Sequence, residues 1–186
     1  MATRELRDTY RRRLRNIARD HYGYVTTQMA ADADVPAVEL RKLAARGGLR
    51  NVAYGLYKFE DLDGDEHAQF MEAVLAAGPG AHLVGEAVLA LHNLALVNPA
   101  KVRVGTPRRV RAHLPEYIEL VHDDLPVEDL TAYDGIPSTT VARALIDCAG
   151  AVMGDRLRAA VEQAQEQGLL RTRELPRVQA AIEAAR

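Results

Sequence analysis

The first twenty residues combine an apolar stripe with a dense set of arginines. The stripe, whose members recur at helical spacing, consists of Leu6, Tyr10, Leu14, Ile17 and Ala18. The arginines occupy the remaining faces, at Arg4, Arg7, Arg11, Arg12, Arg13, Arg15 and Arg19. This pattern predicts an amphipathic first helix, whose arginines either lie along phosphate groups or form an ordinary solvated face.

Two short helices are predicted next. Thr26 and Thr27 precede an alanine-rich run, and a threonine hydroxyl can accept hydrogen bonds from the amides that open a helix. The first short helix therefore starts near Thr26. Pro36 suits the first position of the second helix, and the pair Gly47–Gly48 offers the left-handed geometry that closes it. The order is helix, tight turn, helix.

The second short helix separates an apolar stripe from a basic face. At about 100° per residue, the stripe consists of Ala37, Leu40, Leu43 and Ala44. The opposite face consists of Val38, Glu39, Lys42, Ala45 and Arg46, with Arg41 at its edge. Basic side chains on such a face can bond guanine in a major groove, and small apolar groups can contact a thymine methyl. Alanine-rich helix pairs also occur in proteins that never bind nucleic acid, so that alternative stays open.

Residues 49–59 alternate between strand-forming and polar positions around Gly55. The alternation predicts a hairpin whose tip presents Arg50, Asn51 and Lys58. Two short helices followed by a hairpin have the order of a winged helix-turn-helix, which is a DNA-reading unit. We therefore expect a DNA-binding domain over residues 1–63.

The rest of the chain predicts a second domain of mixed helices and strands. A connecting helix is expected within residues 64–80, and an α+β domain over residues 81–186. Within it we expect an apolar helix around residues 84–96, strands at 101–107, 117–122 and 127–133, and helices from about residue 140, including 156–167 and 175–185. The fold class is accordingly α+β, an N-terminal winged helix-turn-helix followed by a C-terminal domain with a smaller sheet.

Composition and charge add to this picture. The chain has 186 residues, of which 48% are hydrophobic and 27% charged, as is ordinary for a globular protein. Residues 1–58 contain twelve Lys and Arg against six Asp and Glu, whereas the remaining residues contain twelve against twenty. The N-terminal charges are not followed by an apolar run, so we expect no secretory signal and a cytoplasmic location. The single cysteine, Cys148, is expected to be a buried small hydrophobe.

The sequence predicts neither an enzyme nor a metal or cofactor site. His82 and Glu86 stand four apart on a predicted helix, a spacing more typical of a surface contact than of a catalytic couple. Ser138, Thr139 and Thr140 precede a helix, where hydroxyl groups are needed as caps. No phosphate-binding glycine loop or zinc-ligand spacing is present.

Several segments together resemble one bacterial family. These are GYVTTQMA, VAYGLYKF, GEAVLALHNL, VRVGTPRRVR and GIPSTTVARALIDCA. The chain resembles the AbiEi family, the antitoxins of AbiE-type toxin-antitoxin systems, over nearly its whole length. The most specific element begins at Gly135 and ends at Asp147. Val141 and Ala144 depart from the proline and threonine common in the family.

The resemblance implies a division of labour between the two halves. Similar proteins repress their own operon through the N-terminal winged helix and counter a nucleotidyltransferase-like toxin through the C-terminal domain. The positions that inherit the DNA role are Thr26, Thr27, Gln28, Val38, Arg41, Lys42, Arg46 and Arg50, to which the hairpin adds Asn51 and Lys58. A candidate antitoxin surface, basic within an acidic half, consists of Lys101, Arg103, Arg108, Arg109 and Arg111.

Two other functions are compatible with the same residues. One is a toxin-binding antitoxin whose winged helix serves protein contacts and whose DNA affinity is incidental. The other is a transcription regulator without a toxin. The basic residues at 101–111 also fit a solvated strand edge that charge protects from aggregation. The expected partners are promoter DNA and a toxin, with a possible dimer on DNA and no membrane.

Overall fold

The computed structural model describes residues 2–62 and 64–185, and for residues 2–9 it describes the backbone alone. The chain divides into two compact units, the first formed by Met1–Pro79 with Val110–Pro115 and the second by Gly80–Arg109 with Glu116–Arg186. Both units contain helices and a sheet, so the predicted α+β class is confirmed. No helix among the described residues has the length and apolarity that a bilayer crossing requires.

The first unit places a three-stranded sheet among four helices. Its elements are α1 (Ala2–Arg19), β1 (Tyr24–Thr26), α2 (Thr27–Asp32), α3 (Ala37–Ala45), β2 (Arg50–Ala53), β3 (Leu56–Lys58) and α4 (Ala68–Ala77). The sheet is antiparallel, with the strand order β1-β3-β2. Strand β1 was not predicted, because three residues carry little periodicity of their own and this strand depends on pairing with β3.

The predicted stripe of α1 packs into the core of this unit. Leu14 and Ala18 are fully buried, and Tyr10 and Ile17 pack partly buried against the same cluster. Leu40 of α3 and Phe59, which follows β3, complete its centre. Since each fully buried Leu or Phe side chain contributes about 1.5–3 kcal/mol of transfer free energy, this cluster holds α1 and α3 on the sheet. The side chains of Arg4, Leu6 and Arg7 lie outside the described ones.

Local caps fix the two short helices as expected. The Thr26 hydroxyl accepts from the amide of Met29 at 3.1 Å, which confirms the predicted start of α2. Pro36 stands just before α3, so this helix begins one residue later than predicted. Gly47 has φ +73°, and the amide of Gly48 donates to the carbonyl of Leu43 at 3.0 Å, which closes α3.

The helix expected as a connector, α4, belongs to the first unit. It starts at Ala68 and ends at Ala77, within the predicted residues 64–80. The Tyr24 hydroxyl donates to a carboxylate oxygen of Glu72 at 2.6 Å, which ties α4 to β1. Burial and this hydrogen bond raise the pKa of Tyr24.

The second unit is built on a mixed five-stranded sheet. Its strands are β4 (His82–Leu83), β5 (Val102–Thr106), β6 (Ile118–His122), β7 (Leu130–Tyr133) and β8 (Ile136–Thr139). The order is β6-β5-β4-β8-β7, in which β5 pairs with β6 and β4 with β8 in parallel, and the other pairs are antiparallel. Its helices are α5 (Glu86–Leu91), α6 (Val141–Asp147), α7 (Gly154–Glu166) and α8 (Leu175–Ala184).

Several expectations for this unit are confirmed and others are wrong. Strands β5 and β6 and helices α7 and α8 lie where predicted, within two residues. The apolar helix expected over 84–96 ends at Leu91, because Asn93, Ala95 and Leu96 adopt φ of +54°, +58° and +49°. Val127–Asp129 is a 3₁₀ turn rather than the start of a strand. Strands β4 and β8 were not predicted. Strand β4 has two residues and its pairing partners lie far away in sequence, whereas β8 follows β7 directly across the Asp134–Gly135 turn, a local hairpin signal that the prediction missed.

The segment around Thr140 forms a junction between sheet and helices. The Thr140 hydroxyl accepts from the amide of Arg143 at 3.2 Å and so caps α6. Arg143 donates to Asp147 at 2.8 Å and to Asp129 at 3.1 Å. Arg177 of α8 also donates to Asp129, at 3.3 Å. The described contacts of these residues are structural, since they join the 3₁₀ turn before β7 to α6 and α8.

Candidate nucleic-acid interface

The exposed face of α3 is centred on Arg41, and not on the predicted face that had Arg41 at its edge. Val38, Arg41, Ala45 and Arg46 are exposed, whereas Leu40 is fully buried. Ala37 was placed on the packing stripe, but it is exposed, because the first turn of α3 extends beyond the core. Arg41, predicted at the edge, therefore lies at the centre of the exposed face. Arg41 and Arg46 form no ion pair with any described side chain.

Lys42 occupies the flank of this face and is partly neutralised. Its ammonium group donates to Glu39 at 2.7 Å, one helical turn earlier, and its side chain remains 42% exposed. The Glu39 side chain is only 13% exposed, so a Lys42 that turned to a ligand would leave a largely buried carboxylate without this partner. Arg41 of α3 and Arg46, which directly follows it, need no such exchange of partners.

The prediction that Arg50, Asn51 and Lys58 form the hairpin tip is wrong. Arg50 pairs with Lys58 at the open end of the hairpin, and Asn51 pairs with Tyr57. The turn itself consists of Tyr54 and Gly55. A register shift between Asn51 and Ala53 adds one residue to β2, which accentuates the twist of this short ribbon. The three polar residues consequently lie beside the chain leading to Glu60.

Tyr54 is the residue at this hairpin that sequence reasoning missed. Its side chain is 89% exposed, and the turn that carries it is fixed to the start of α2. The amide of Thr27 donates to the carbonyl of Gly55 at 2.8 Å. Gly55 has φ +69°, and a Cβ there would lie 3.0 Å from the Thr27 hydroxyl oxygen, so glycine is required. An exposed aromatic residue beside the glycine of a hairpin turn was the available sequence signal.

An acidic segment offsets part of the basic charge of this unit. Residues 59–79 contain six carboxylates and no Lys or Arg. Glu60 accepts from Arg50 at 2.7 Å, and Asp61 accepts from Arg15 in a short ion pair. The hydrogen bond from Arg15 holds the pKa of Asp61 below its ordinary value. The positive charge counted in residues 1–58 is therefore not all available to a ligand.

The remaining predicted DNA contacts have defined local roles. The ammonium group of Lys58 lies 5.0 Å from the centroid of the Tyr24 ring, in a cation–π contact. Gln28 is exposed and donates to Asp32 at 2.8 Å within α2. Thr26 uses its hydroxyl to cap α2, and Thr27 is half-buried under the hairpin turn.

The candidate antitoxin surface is divided between the units. Lys101, Arg103, Arg108 and Arg109 belong to the second unit, whereas Arg111 belongs to the first. Lys101, Arg108 and Arg109 are exposed. Arg103 lies on β5, where its Nε is 3.6 Å from a carboxylate oxygen of Glu119 on the neighbouring strand. Lys101 directly precedes β5, whereas Arg108 and Arg109 follow it, so these exposed cations lie at opposite ends of that strand.

The groups considered for catalysis are engaged in structure. His82 lies on β4 and Glu86 on α5, so the predicted helical spacing of this pair is wrong. Burial, together with the nearby Glu86 carboxylate, raises the pKa of the Cys148 thiol to about 12, which keeps it protonated at neutral pH. The Ser138 hydroxyl donates to the carbonyl of Ile136 at 3.1 Å. Within residues 2–62 and 64–185, no three His, Cys, Asp or Glu side chains converge on a possible metal position.

Comparisons with known proteins give a distant structural neighbour. No protein-family model matches the chain, and no curated protein matches it. The chain is similar to the crystal structure of the RV2827C protein from Mycobacterium tuberculosis, with a TM-score of 0.46 and 18% sequence identity. That similarity covers 95% of this chain and 77% of the other.

Proposed function

We propose that this protein is a DNA-binding antitoxin that represses its own operon, with the first unit acting as a winged helix-turn-helix. The observation that supports this best is the order α1-β1-α2-α3-β2-β3 with a β1-β3-β2 sheet, combined with the exposed arginines of α3. In this arrangement α3 is the recognition helix and the β2–β3 hairpin is the wing. Arg41 and Arg46 bond bases or phosphates, and Val38 and Ala45 are small enough for close approach to the groove.

The proposal assigns a backbone-contacting role to the hairpin. Tyr54 presents an aromatic ring and a hydroxyl group, which can contact sugar and phosphate without reading sequence. Arg50 joins this contact once Glu60 releases it. The antitoxin part of the proposal depends on the resemblance to the AbiEi family, and the exposed residues Lys101, Arg108 and Arg109 are its candidates. We propose no catalytic activity, and a cytoplasmic location.

The DNA-binding part is tested by fluorescence anisotropy on the DNA upstream of the gene, titrated at several salt concentrations. Arg41→Ala with Arg46→Ala should weaken binding by on the order of 1–3 kcal/mol per lost base contact, or less for a phosphate contact. Arg173→Ala, which removes an exposed cation from the second unit, is the matched control. Unchanged binding by the correctly folded double variant would exclude α3 as the recognition helix.

The antitoxin part requires a growth assay. The full chain and its Lys101→Ala, Arg108→Ala and Arg109→Ala variant are each co-expressed with the toxin encoded by the neighbouring reading frame. Loss of protection by the triple variant, with DNA binding retained, would separate the two activities. If the neighbouring frame encodes no toxin, the protein is a transcription regulator alone.

A further inference from the structure

The second unit exposes an apolar patch, the Leu96–Met153 patch, formed by Leu96, Val97, Pro99, Val152 and Met153. Leu96 is 85% exposed and Met153 is 65% exposed, and the two form one contiguous apolar surface instead of lying singly. Both line one open cleft of about 220 Å³. Residues 151–153 also line a second cleft of about 340 Å³, which extends to Ile182 at the end of α8. The patch therefore combines a projecting leucine with two adjoining clefts, of which the first also has polar residues in its lining.

The backbone holds Leu96 outward at an energetic cost. Ala95 and Leu96 are consecutive non-glycine residues with φ of +58° and +49°. Left-handed geometry is unfavourable for leucine, so glycine or asparagine would suit position 96 better if only the fold mattered. A strained backbone that presents a large apolar side chain to solvent is explained if that side chain has a partner.

The charges at the edge of the patch have both signs. Glu86 at the start of α5 and Arg156 in the first turn of α7 line the same cleft. Neither forms an ion pair with another described side chain. In a twofold contact each residue of the patch meets its complement on an identical surface. A patch with a projecting side chain and a hollow, and with one carboxylate and one guanidinium, is complementary to itself.

We propose that the Leu96–Met153 patch is the contact surface of a homodimer, in which Leu96 of each copy enters the cleft of the other and Glu86 pairs with Arg156 across the twofold axis. The proposal does not depend on DNA binding. It predicts a monomer–dimer equilibrium of the full chain in the absence of DNA.

Sedimentation equilibrium of the full chain over a wide concentration range tests this directly. The wild type should show a dimer, and Leu96→Gly should raise its dissociation constant at least tenfold. The same substitution should raise the melting temperature of the monomer, because it relieves the left-handed strain. Val127→Glu is the matched control, since Val127 is 83% exposed but lies outside the patch, and it should leave the association unchanged.

Charge reversal provides the second test. Glu86→Arg alone and Arg156→Glu alone should each weaken the dimer, because each brings like charges together across the contact. The double variant should recover most of the lost affinity, and circular dichroism verifies that each variant is folded. A wild type that stays monomeric at every concentration would overturn the proposal, as would a dimer that is insensitive to Leu96→Gly and to both reversals.

Discussion

The contact between Asp129, Arg143 and Arg177 allows a stability prediction with a worked magnitude. The Asp129 side chain is only 8% exposed and accepts hydrogen bonds from both arginines. Removing one partner of a buried ion pair costs about 3–5 kcal/mol, because the other charge stays buried and unpaired. Here the cost is lower, because Arg143 keeps Asp147 at 2.8 Å and the Arg177 side chain is 59% exposed. We therefore expect Asp129→Ala to destabilise the second unit by about 2–3 kcal/mol.

Urea denaturation followed by circular dichroism measures this difference. The two units can unfold separately, so the transition of the second unit must be resolved before a free energy is assigned. For a unit of this size, the expected loss lowers the melting temperature by roughly 10 °C. Asp155→Ala is the control, because Asp155 also bonds an arginine, Arg158, but its side chain is 86% exposed. That change should cost less than about 1 kcal/mol.

A double-mutant cycle shows whether the coupling is specific. Arg143→Ala together with Asp129→Ala should cost clearly less than the sum of the two single changes, because each single change leaves a charge without its partner. An Asp129→Ala variant as stable as the wild type would refute the assignment of Asp129 as the residue that joins the 3₁₀ turn before β7 to α6 and α8. Additive losses would show that Asp129 and Arg143 are not coupled.

The remaining predictions concern the acidic segment and the buried thiol. Glu60→Gln should free Arg50 and so increase the affinity for upstream DNA about threefold at low salt. The plot of log binding constant against log salt concentration should also become steeper by about one released counterion. Equal slopes for the variant and the wild type in anisotropy titrations would contradict this. Cys148 should resist iodoacetamide at pH 8 in the native protein and react after denaturation, as mass spectrometry would show. Because folding raises the Cys148 pKa from 9.0 to about 12, the folded state retains a proton that the unfolded state loses in that range. Stability of the second unit should therefore fall as pH rises from 9 to 12, by up to about 1.4 kcal/mol per pH unit from this group, and Cys148→Ala should flatten the fall in urea midpoints.

Features with a local cause were predictable from sequence. The cap at Thr26 and the closure at Gly47 depend on neighbouring residues, and the structure confirms both. The start predicted at Pro36 is one residue early, because Pro36 is the residue that precedes α3. The cap at Thr140 was predicted by the same reasoning. The apolar stripe of α1 was predictable because helical periodicity over eighteen residues leaves few alternatives.

Features set by distant pairing were not predictable. Strands β1 and β4 have three and two residues, and their pairing is decided by partners elsewhere in the chain. Strand β8 differs, because the Asp134–Gly135 turn joins it to β7 and was a local signal that the prediction missed. At the hairpin, alternation indicated two strands but not the register, which depends on the turn at Tyr54–Gly55. The ion pair from Arg50 to Glu60 likewise depends on the path of the chain after β3. The count of Lys and Arg in residues 1–58 therefore exceeds the positive charge that is free to bind a ligand.

The salt dependence of DNA binding links the two proposals. With Lys42 and Arg50 paired, the cations without an ion pair to a described side chain, among the predicted contacts of α3 and the hairpin, are Arg41, Arg46 and Lys58. One copy should therefore release few counterions and bind weakly. Two copies joined through the Leu96–Met153 patch would double the number of contacts and bind the second half-site at a high effective concentration. The Leu96→Gly variant should then show about half the salt slope of the wild type, with α3 intact. An unchanged slope would mean that each copy binds DNA independently of the patch, whatever the solution equilibrium.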